Sequence, residues 1–198
     1  MIIGLCGLIG AGKGTVADIL VDQGFKKISF ADKLKDGVST IFGWDRSMLE
    51  GDTDESRAWR ELRDDFWSNE TQMEVSPRLV LQLFGTDCMR DGFYDGVWVS
   101  LLKKTILDNP EQNYVVPDVR FENEVNMLHD IGGEVWEVKR GLDPQWLIEY
   151  ETTGVQPKDV HTSEWKWVKA RKDEVILNDT NINDLKGQVL TTLGTIPF

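Results

Sequence analysis

The sequence predicts an α/β fold in three layers, a parallel β-sheet flanked by helices. Three observations predict it. Short apolar runs alternate with helix-period segments along most of the 198 residues. The first apolar run is joined to the first helical pattern by a glycine-rich turn (Gly7 to Thr15). A later run, Tyr114-Val115-Val116, ends in the polar tip Pro117-Asp118, as a buried parallel strand does where ligands gather at carboxyl ends.

Residues 1–6 read as the first strand, through Ile2, Ile3 and Leu5. The next residues meet the spacing G-x-x-x-x-G-K with Gly7, Gly12 and Lys13. Glycines let a backbone curl tightly enough to aim many N–H groups at one phosphate chain. The following helix adds its free N–H groups and positive dipole end, and Lys13 adds a mobile charge for the outer phosphates. Strand, loop, lysine and helix together predict a P-loop NTPase fold. Gly14 stands where a hydroxyl usually follows the lysine, and Thr15 comes one position later. The pattern G-x-G-x-x-G of dinucleotide sites fails, because Thr15 stands at its last glycine.

Residues 13–23 read as a helix ending near Gly24, and 27–30 as a short second strand. Residues 31–42 place Leu34, Val38 and Ile41 on one helix face. The acidic, tryptophan-bearing stretch 44–76 reads as one or two surface helices or a cap. Residues 77–89 read as a helix with Pro77 in its first turn, and 97–107 as another. Then come a strand at 113–118, a helix at 123–131 stopped by Gly132-Gly133, and a strand at 134–138. Residues 140–168, punctuated by Gly141, Pro144, Gly154 and Pro157, read as an irregular lid candidate reaching to about residue 170. A strand at 174–178 and a helix at 182–193 complete the chain. The expectation is one domain over 1–198, with 44–76 inserted and 140–170 as lid.

The net charge of −12 and pI near 4.6 argue against binding duplex nucleic acid through its phosphates. Anionic ligands must then be caught by local basic groups. Cys6 and Cys88 form no C-x-x-C or Cys/His cluster, which argues against structural zinc and for a reducing cytoplasm. The start lacks signal-peptide features, and no apolar stretch is long enough to predict a membrane span.

Asp118, at a strand tip, is a candidate to hold Mg²⁺ directly or through water, with Thr15 as the other candidate ligand. Arg120, two residues on, is placed to bridge a donor's outer phosphate and an acceptor. Arg78 and Gln82 share a helix face and suit a phosphate and a base edge, with Asp87 nearby. Arg57, Arg60 and Arg63, amid acids, read as a solvated, ion-paired face. His161 stands in an irregular segment without metal or triad spacing, and Ser163 lacks a nucleophile-elbow context. The eight tryptophans are scattered and read mostly as packing residues.

Four segments resemble the bacteriophage-type deoxynucleoside monophosphate kinases: Gly7 to Asp18, Ser29 to Asp36, Arg78 to Val99 and Val115 to Arg140. His161 to Glu164 and Val175 to Asp179 fit as well, and 44–76 matches least. The resemblance implies NMP-binding and lid subdomains on the P-loop fold, and transfer of the ATP γ-phosphoryl group to a dNMP, giving ADP and dNDP for DNA precursor synthesis. It implies that Gly10, Ala11, Gly12, Lys13, Gly14 and Thr15 hold ATP, that Asp118 orients Mg²⁺, and that Arg120 contacts the transferring group. Phe30, Lys35, Arg78, Gln82, Asp87 and Trp98 would line the dNMP site, which Arg120 also meets. Arg140, His161 and Glu164 would belong to the lid, Arg140 also reaching ATP, and Asn178 and Asp179 would sit by the donor adenine. A homodimer stays open, and the host cytoplasm is the expected location. Two other readings are weighed against this: another small-molecule P-loop kinase, such as a dephospho-coenzyme A kinase-like protein, and a non-catalytic nucleotide-binding subunit. A GTPase is disfavoured because no N-K-x-D motif occurs.

Overall fold

The computed structural model describes residues 1–194, which fall into two compact units, 1–29 with 102 onward and 30–101. In chain order the first elements are β1 (Ile2–Cys6), α1 (Lys13–Asp22), β2 (Lys26–Lys27), α2 (Asp32–Phe42), α3 (Asp54–Glu61), α4 (Asp65–Thr71) and α5 (Pro77–Gln82). A π-helical stretch, Leu83–Asp91, continues α5. Then follow α6 (Val97–Leu107), β3 (Tyr114–Val116), α7 (Glu122–Asp130), β4 (Glu134–Lys139), α8 (Gln145–Thr153), a 3-10 turn (Thr162–Glu164), β5 (Glu174–Leu177) and α9 (Ile182–Thr192).

The first unit holds a five-stranded parallel sheet in the order β2-β3-β1-β4-β5. The order reverses direction around β1, so the loop leaving β1 opens at the switch point where α/β sheets bind ligands. Alternation along β1 sorts its two faces. Ile3 and Leu5 join the fully buried cluster with Val16 and Leu20 of α1, Trp136 and Val138 of β4, and Leu185 and Val189 of α9. Gly4 points the other way, where an added Cβ would lie 2.5 Å from a Leu128 methyl of α7. A side chain there would push α7 off the sheet, so glycine sets the layer spacing.

The second unit has its own core. Val38, Leu49, Val75 and Val80 pack with Phe42, Trp44, Trp59 and Trp67. Phe42 stacks on Trp44 at 4.8 Å, and Trp44 meets Trp59 edge-on at 6.1 Å. The Trp44 indole N–H donates to Asp64 (2.9 Å), which also caps α4.

Several expected elements differ. The second strand pairs only Lys26 and Lys27 with β3, because Ser29 turns to donate its hydroxyl to Asp118. The helix expected to run to Met89 widens at Leu83. Gly85 lets Leu34 approach closely, and its carbonyl accepts the Trp98 indole N–H at 2.9 Å. The segment 140–168 is not wholly irregular. Pro144 opens α8 and Gly154 (φ +74°) closes it, burying Leu147 and Tyr150, so these two breakers are the ends of a helix.

Trp136 is fully buried at the centre of the sheet cluster. Trp136→Ala is expected to cost about 3–5 kcal/mol, read as a lowered denaturant midpoint at unchanged slope.

Candidate functional site

The site grows from the loop between β1 and α1. Gly7 (φ +136°), Gly10 (φ +79°) and Gly12 (φ +101°) hold backbone conformations that other residues rarely adopt. At Gly7 a Cβ would meet the Val138 carbonyl oxygen at 2.3 Å, so β4 forces the turn inward. Gly12 is the residue before α1, whose first N–H groups have no partner within the helix. The loop bounds a cavity of about 420 Å³, with Lys13, Thr15, Arg120, Arg140, Ser163 and Glu164 also on its walls.

Lys13 folds back and donates to the carbonyls of Gly7 (2.7 Å) and Leu8 (2.9 Å). Burial, and then the charge of Arg120, hold its ammonium below the usual lysine range, while Glu164 opposes the shift. Arg120 donates to Ser163 Oγ (3.2 Å) and to Glu164 Oε1 (3.4 Å). The other Glu164 oxygen accepts the Ile9 N–H at 3.2 Å, so one carboxylate links the loop to Arg120. Ser163 is buried, and its N–H donates to His161 Nδ1 (3.3 Å). His161 itself is exposed and caps the 3-10 turn.

Asp118 lies on the connection after β3, with its Oδ2 2.6 Å from the Ser29 hydroxyl; it does not line the cavity. It caps no helix. The N–H groups of Arg120 and Phe121 are taken by the buried Glu124 carboxylate, at 2.7 and 3.1 Å, and this fixes the Arg120 backbone. Asn178 donates to the Ala11 carbonyl (2.9 Å), and Asp179 accepts the Gly141 N–H (2.5 Å), so both brace loops around the cavity. Among the described residues no group of three or more His, Cys, Asp or Glu side chains is arranged to hold a metal. Thr15 lines the cavity and Asp118 lies on the connection after β3; both are oxygen donors of the kind a small hard cation takes. Cys6 is inert: burial first, then Glu137, push its thiol up to about 12.

The other predicted residues lie in the second unit. Lys35 on α2 is paired with Glu50 at 2.6 Å, and Arg46 binds Asp36 (2.8 Å), Asp32 and Glu50. Arg78, at the start of α5, donates to Glu61 of α3 at 2.7 Å. Gln82 and Asp87 are exposed, whereas Phe30 and Trp98 are buried. The expected ion-paired arginine face holds for Arg57, which binds Asp54, and for Arg63, which binds Asp65. It fails for Arg60, whose buried Nε has no hydrogen-bond partner among the described residues.

Sequence reasoning missed Glu124, which hides in a helix start, and gave Ser163 no role. The H-T-S-E segment was the available signal for Ser163.

A family model described as deoxynucleotide monophosphate kinase matches residues 41–189. A protein of Acanthamoeba polyphaga mimivirus, provisionally named a deoxynucleotide monophosphate kinase, is 30% identical over 205 residues, spanning 96% of this chain and 95% of that one. The deoxynucleotide monophosphate kinase of Enterobacteria phage T4 is 27% identical over 131 residues, 65% of this chain and 49% of that protein. Among solved structures, a dephospho-CoA kinase from Campylobacter jejuni aligns over 98% of this chain and 96% of its own, with 17% identity and a TM-score of 0.43.

Gly12→Ala adds backbone strain on the order of 1–3 kcal/mol and a Cβ 2.3 Å from Asn178 Nδ2. It is expected to abolish polyphosphate binding in a fluorescence titration. Adding Asn178→Ala removes the overlap but not the strain, so the double variant should recover only part of the binding.

Proposed function

From the chain's membership of the deoxynucleotide monophosphate kinase family, we propose how its residues carry out phosphoryl transfer from ATP to a deoxynucleoside monophosphate. The chain is an ATP-dependent kinase of nucleotides. The cavity that gathers the loop amides, Lys13 and Arg120 carries the assignment of roles.

In this reading the amides of Gly10 to Thr15 take the ATP phosphates, and Lys13 leaves the Gly7 and Leu8 carbonyls for the outer phosphates. A lysine desolvated beside another cation gains most from an arriving polyanion. Arg120, steadied by Ser163, Glu164 and the Glu124-bound backbone, neutralises charge on the group in transfer. Thr15 and Asp118 are the residues that would hold Mg²⁺; when bound, the ion screens charge on the phosphate oxygens. The acceptor is already an anion at neutral pH and attacks in line, so no side chain need act as nucleophile or base. What the protein must supply is alignment and exclusion of water, because an open site would hydrolyse ATP. Segment 140–170, with Arg140, His161 and Glu164, is the lid in this account, and Asn178 and Asp179 border the donor adenine.

The second unit supplies the acceptor site, with 44–76 as its inserted part. Lys35 and Arg78 meet the monophosphate, Gln82 and Asp87 meet the base, and Phe30 and Trp98 support them from within. The protein would act in the cytoplasm of a host cell. No helix among the described residues is long and apolar enough to cross a membrane.

The test is ADP release with Mg-ATP against dAMP, dGMP, dCMP, dTMP, their ribose counterparts and dephospho-coenzyme A. Turnover of a deoxynucleotide well above ATP hydrolysis is expected. Turnover of dephospho-coenzyme A alone would move the acceptor assignment, and ATP binding without any turnover would leave a binding role. Lys13→Ala should cut kcat about 10²- to 10³-fold with a native circular dichroism spectrum; near-normal turnover would remove Lys13 from the mechanism. Arg120→Lys should lower kcat/KM about tenfold to a hundredfold, since an ammonium cannot reproduce the planar fork. Kinetics equal to wild type would overturn its proposed contact.

A further inference from the structure

One peptide of the phosphate loop, Ala11–Gly12, is held from outside the loop. Ala11 stands between Gly10 (φ +79°) and Gly12 (φ +101°), where the backbone conformation is one that glycine enters freely. A peptide plane flanked in this way turns over at little steric cost. Turning over matters, because the C=O and N–H of a trans peptide point in opposite directions. In one orientation the Gly12 N–H faces an incoming phosphate, and in the other the Ala11 carbonyl oxygen does. The first attracts a polyanion and the second repels it. Gly12 lines the cavity, whereas Ala11 is buried away from it.

The orientation is set by Asn178. Among the described residues, the one hydrogen bond to the Ala11 carbonyl comes from Asn178 Nδ2, at 2.9 Å. Asn178 can bear this load because its own backbone belongs to the sheet. It follows β5 directly, and its N–H donates to the Lys139 carbonyl of β4 at 2.8 Å, one step beyond the Lys139–Leu177 pair. The side chain reaches back from that fixed point and lies flat against the loop, leaving no room for a Cβ on Gly12, which would fall 2.3 Å from Nδ2. Asn178 does not itself line the cavity. Its amide nitrogen is spent on the loop, so its influence on a bound nucleotide passes through the peptide it holds.

We propose that Asn178 is a positioning residue for the phosphate loop: by holding the Ala11 carbonyl it fixes the Ala11–Gly12 plane and aims the Gly12 N–H at the phosphates of the donor. This rests on the reading that the amides of Gly10 to Thr15 take the ATP phosphates. It differs from the base contact that the family resemblance implies for Asn178, since a fixed peptide plane serves any polyphosphate whatever base it carries. Without the amide, a buried carbonyl loses its donor, and the plane divides between its two orientations. Apparent affinity then falls with the fraction of loops that keep the N–H inward.

The experiment is calorimetric titration of wild type, Asn178→Ala and Asn178→Ser with inorganic tripolyphosphate and with adenosine. It is joined to steady-state kinetics with ATP and GTP as donors and to the amide proton shift of Gly12 in ¹⁵N-labelled protein. Asn178→Ala is expected to weaken tripolyphosphate binding about tenfold to a hundredfold. Adenosine binding, the KM of the deoxynucleotide and the ratio of kcat/KM for ATP over GTP should each stay within about twofold of wild type, limits on the order of 0.4 kcal/mol. In wild type the Gly12 amide proton should move downfield when tripolyphosphate is added, and in Asn178→Ala that movement should shrink. Asn178→Ser keeps a donor and should fall between the two; should the alanine variant lose its native circular dichroism spectrum, serine carries the same comparison with a smaller loss. Tripolyphosphate binding within twofold of wild type in both variants would overturn the positioning role and leave the loop reading standing. A lost preference for ATP over GTP, with tripolyphosphate binding intact, would make Asn178 a base contact and overturn the proposal. Wild type that binds no tripolyphosphate and shows no Gly12 movement would overturn the loop reading itself.

Discussion

The proposed chemistry depends on a single constraint: the half-buried Lys13 and the more exposed Arg120 line one cavity at the carboxyl end of the sheet. Burial, and then the charge of Arg120, disfavour the Lys13 ammonium. Three devices keep the pair in place. The carbonyls of Gly7 and Leu8 hold the ammonium, Glu124 holds the Arg120 backbone, and Glu164 ties the guanidinium to the loop. Each device is a hydrogen bond to a group that phosphate oxygens outcompete or leave undisturbed. In the proposed mechanism these contacts hold the cations in place and a polyanion gains most from them, which is the asymmetry phosphoryl transfer requires.

The second unit repeats this logic with weaker bonds. Lys35 is held by Glu50, and Arg78 by Glu61, while Arg46 gathers Asp32, Asp36 and Glu50 into a network beside them. Against burial, which raises both, the Arg46 and Lys33 contacts lower the Asp36 carboxyl, and the Lys35 and Arg46 contacts lower that of Glu50. These acids do more than solubilise: they hold the basic side chains in place.

How much of this was legible in the sequence follows from where each partner lies. The phosphate loop was legible because its glycines, lysine and flanking strand and helix are contiguous, and steric rules alone demand glycine at positive φ. The sheet was legible because burial on both faces leaves apolar runs. Ser163 was not, since it matters through Arg120, a partner brought near by folding; Glu124 acts locally at a helix start but lacks the usual Ser, Thr, Asp or Asn three residues before it. Arg60 was misread because spacing at i, i+3 and i+6 amid acids is common to all three arginines. Only tertiary packing turns one of them inward, against Gly51. The lid segment misled in the opposite way. Its prolines and glycines read as irregular structure, but Pro144 and Gly154 are the two ends of α8.

A net charge of −12 looks hostile to a protein whose ligands are anions. The two effects act over different distances. Surface charge is screened beyond about 8 Å at physiological salt, so it governs solubility and long-range approach. Within the cavity the nearest charges are Lys13, Arg120 and Arg140 against a single carboxylate, Glu164. At hydrogen-bond distance, oriented amides and desolvated cations outweigh a diffuse negative surface. An acidic exterior therefore leaves capture to the built sites, and disfavours loose association with polyanions that lack the right shape. A long nucleic acid meets the repulsion along its whole length, whereas a single nucleotide small enough to enter meets the cations first.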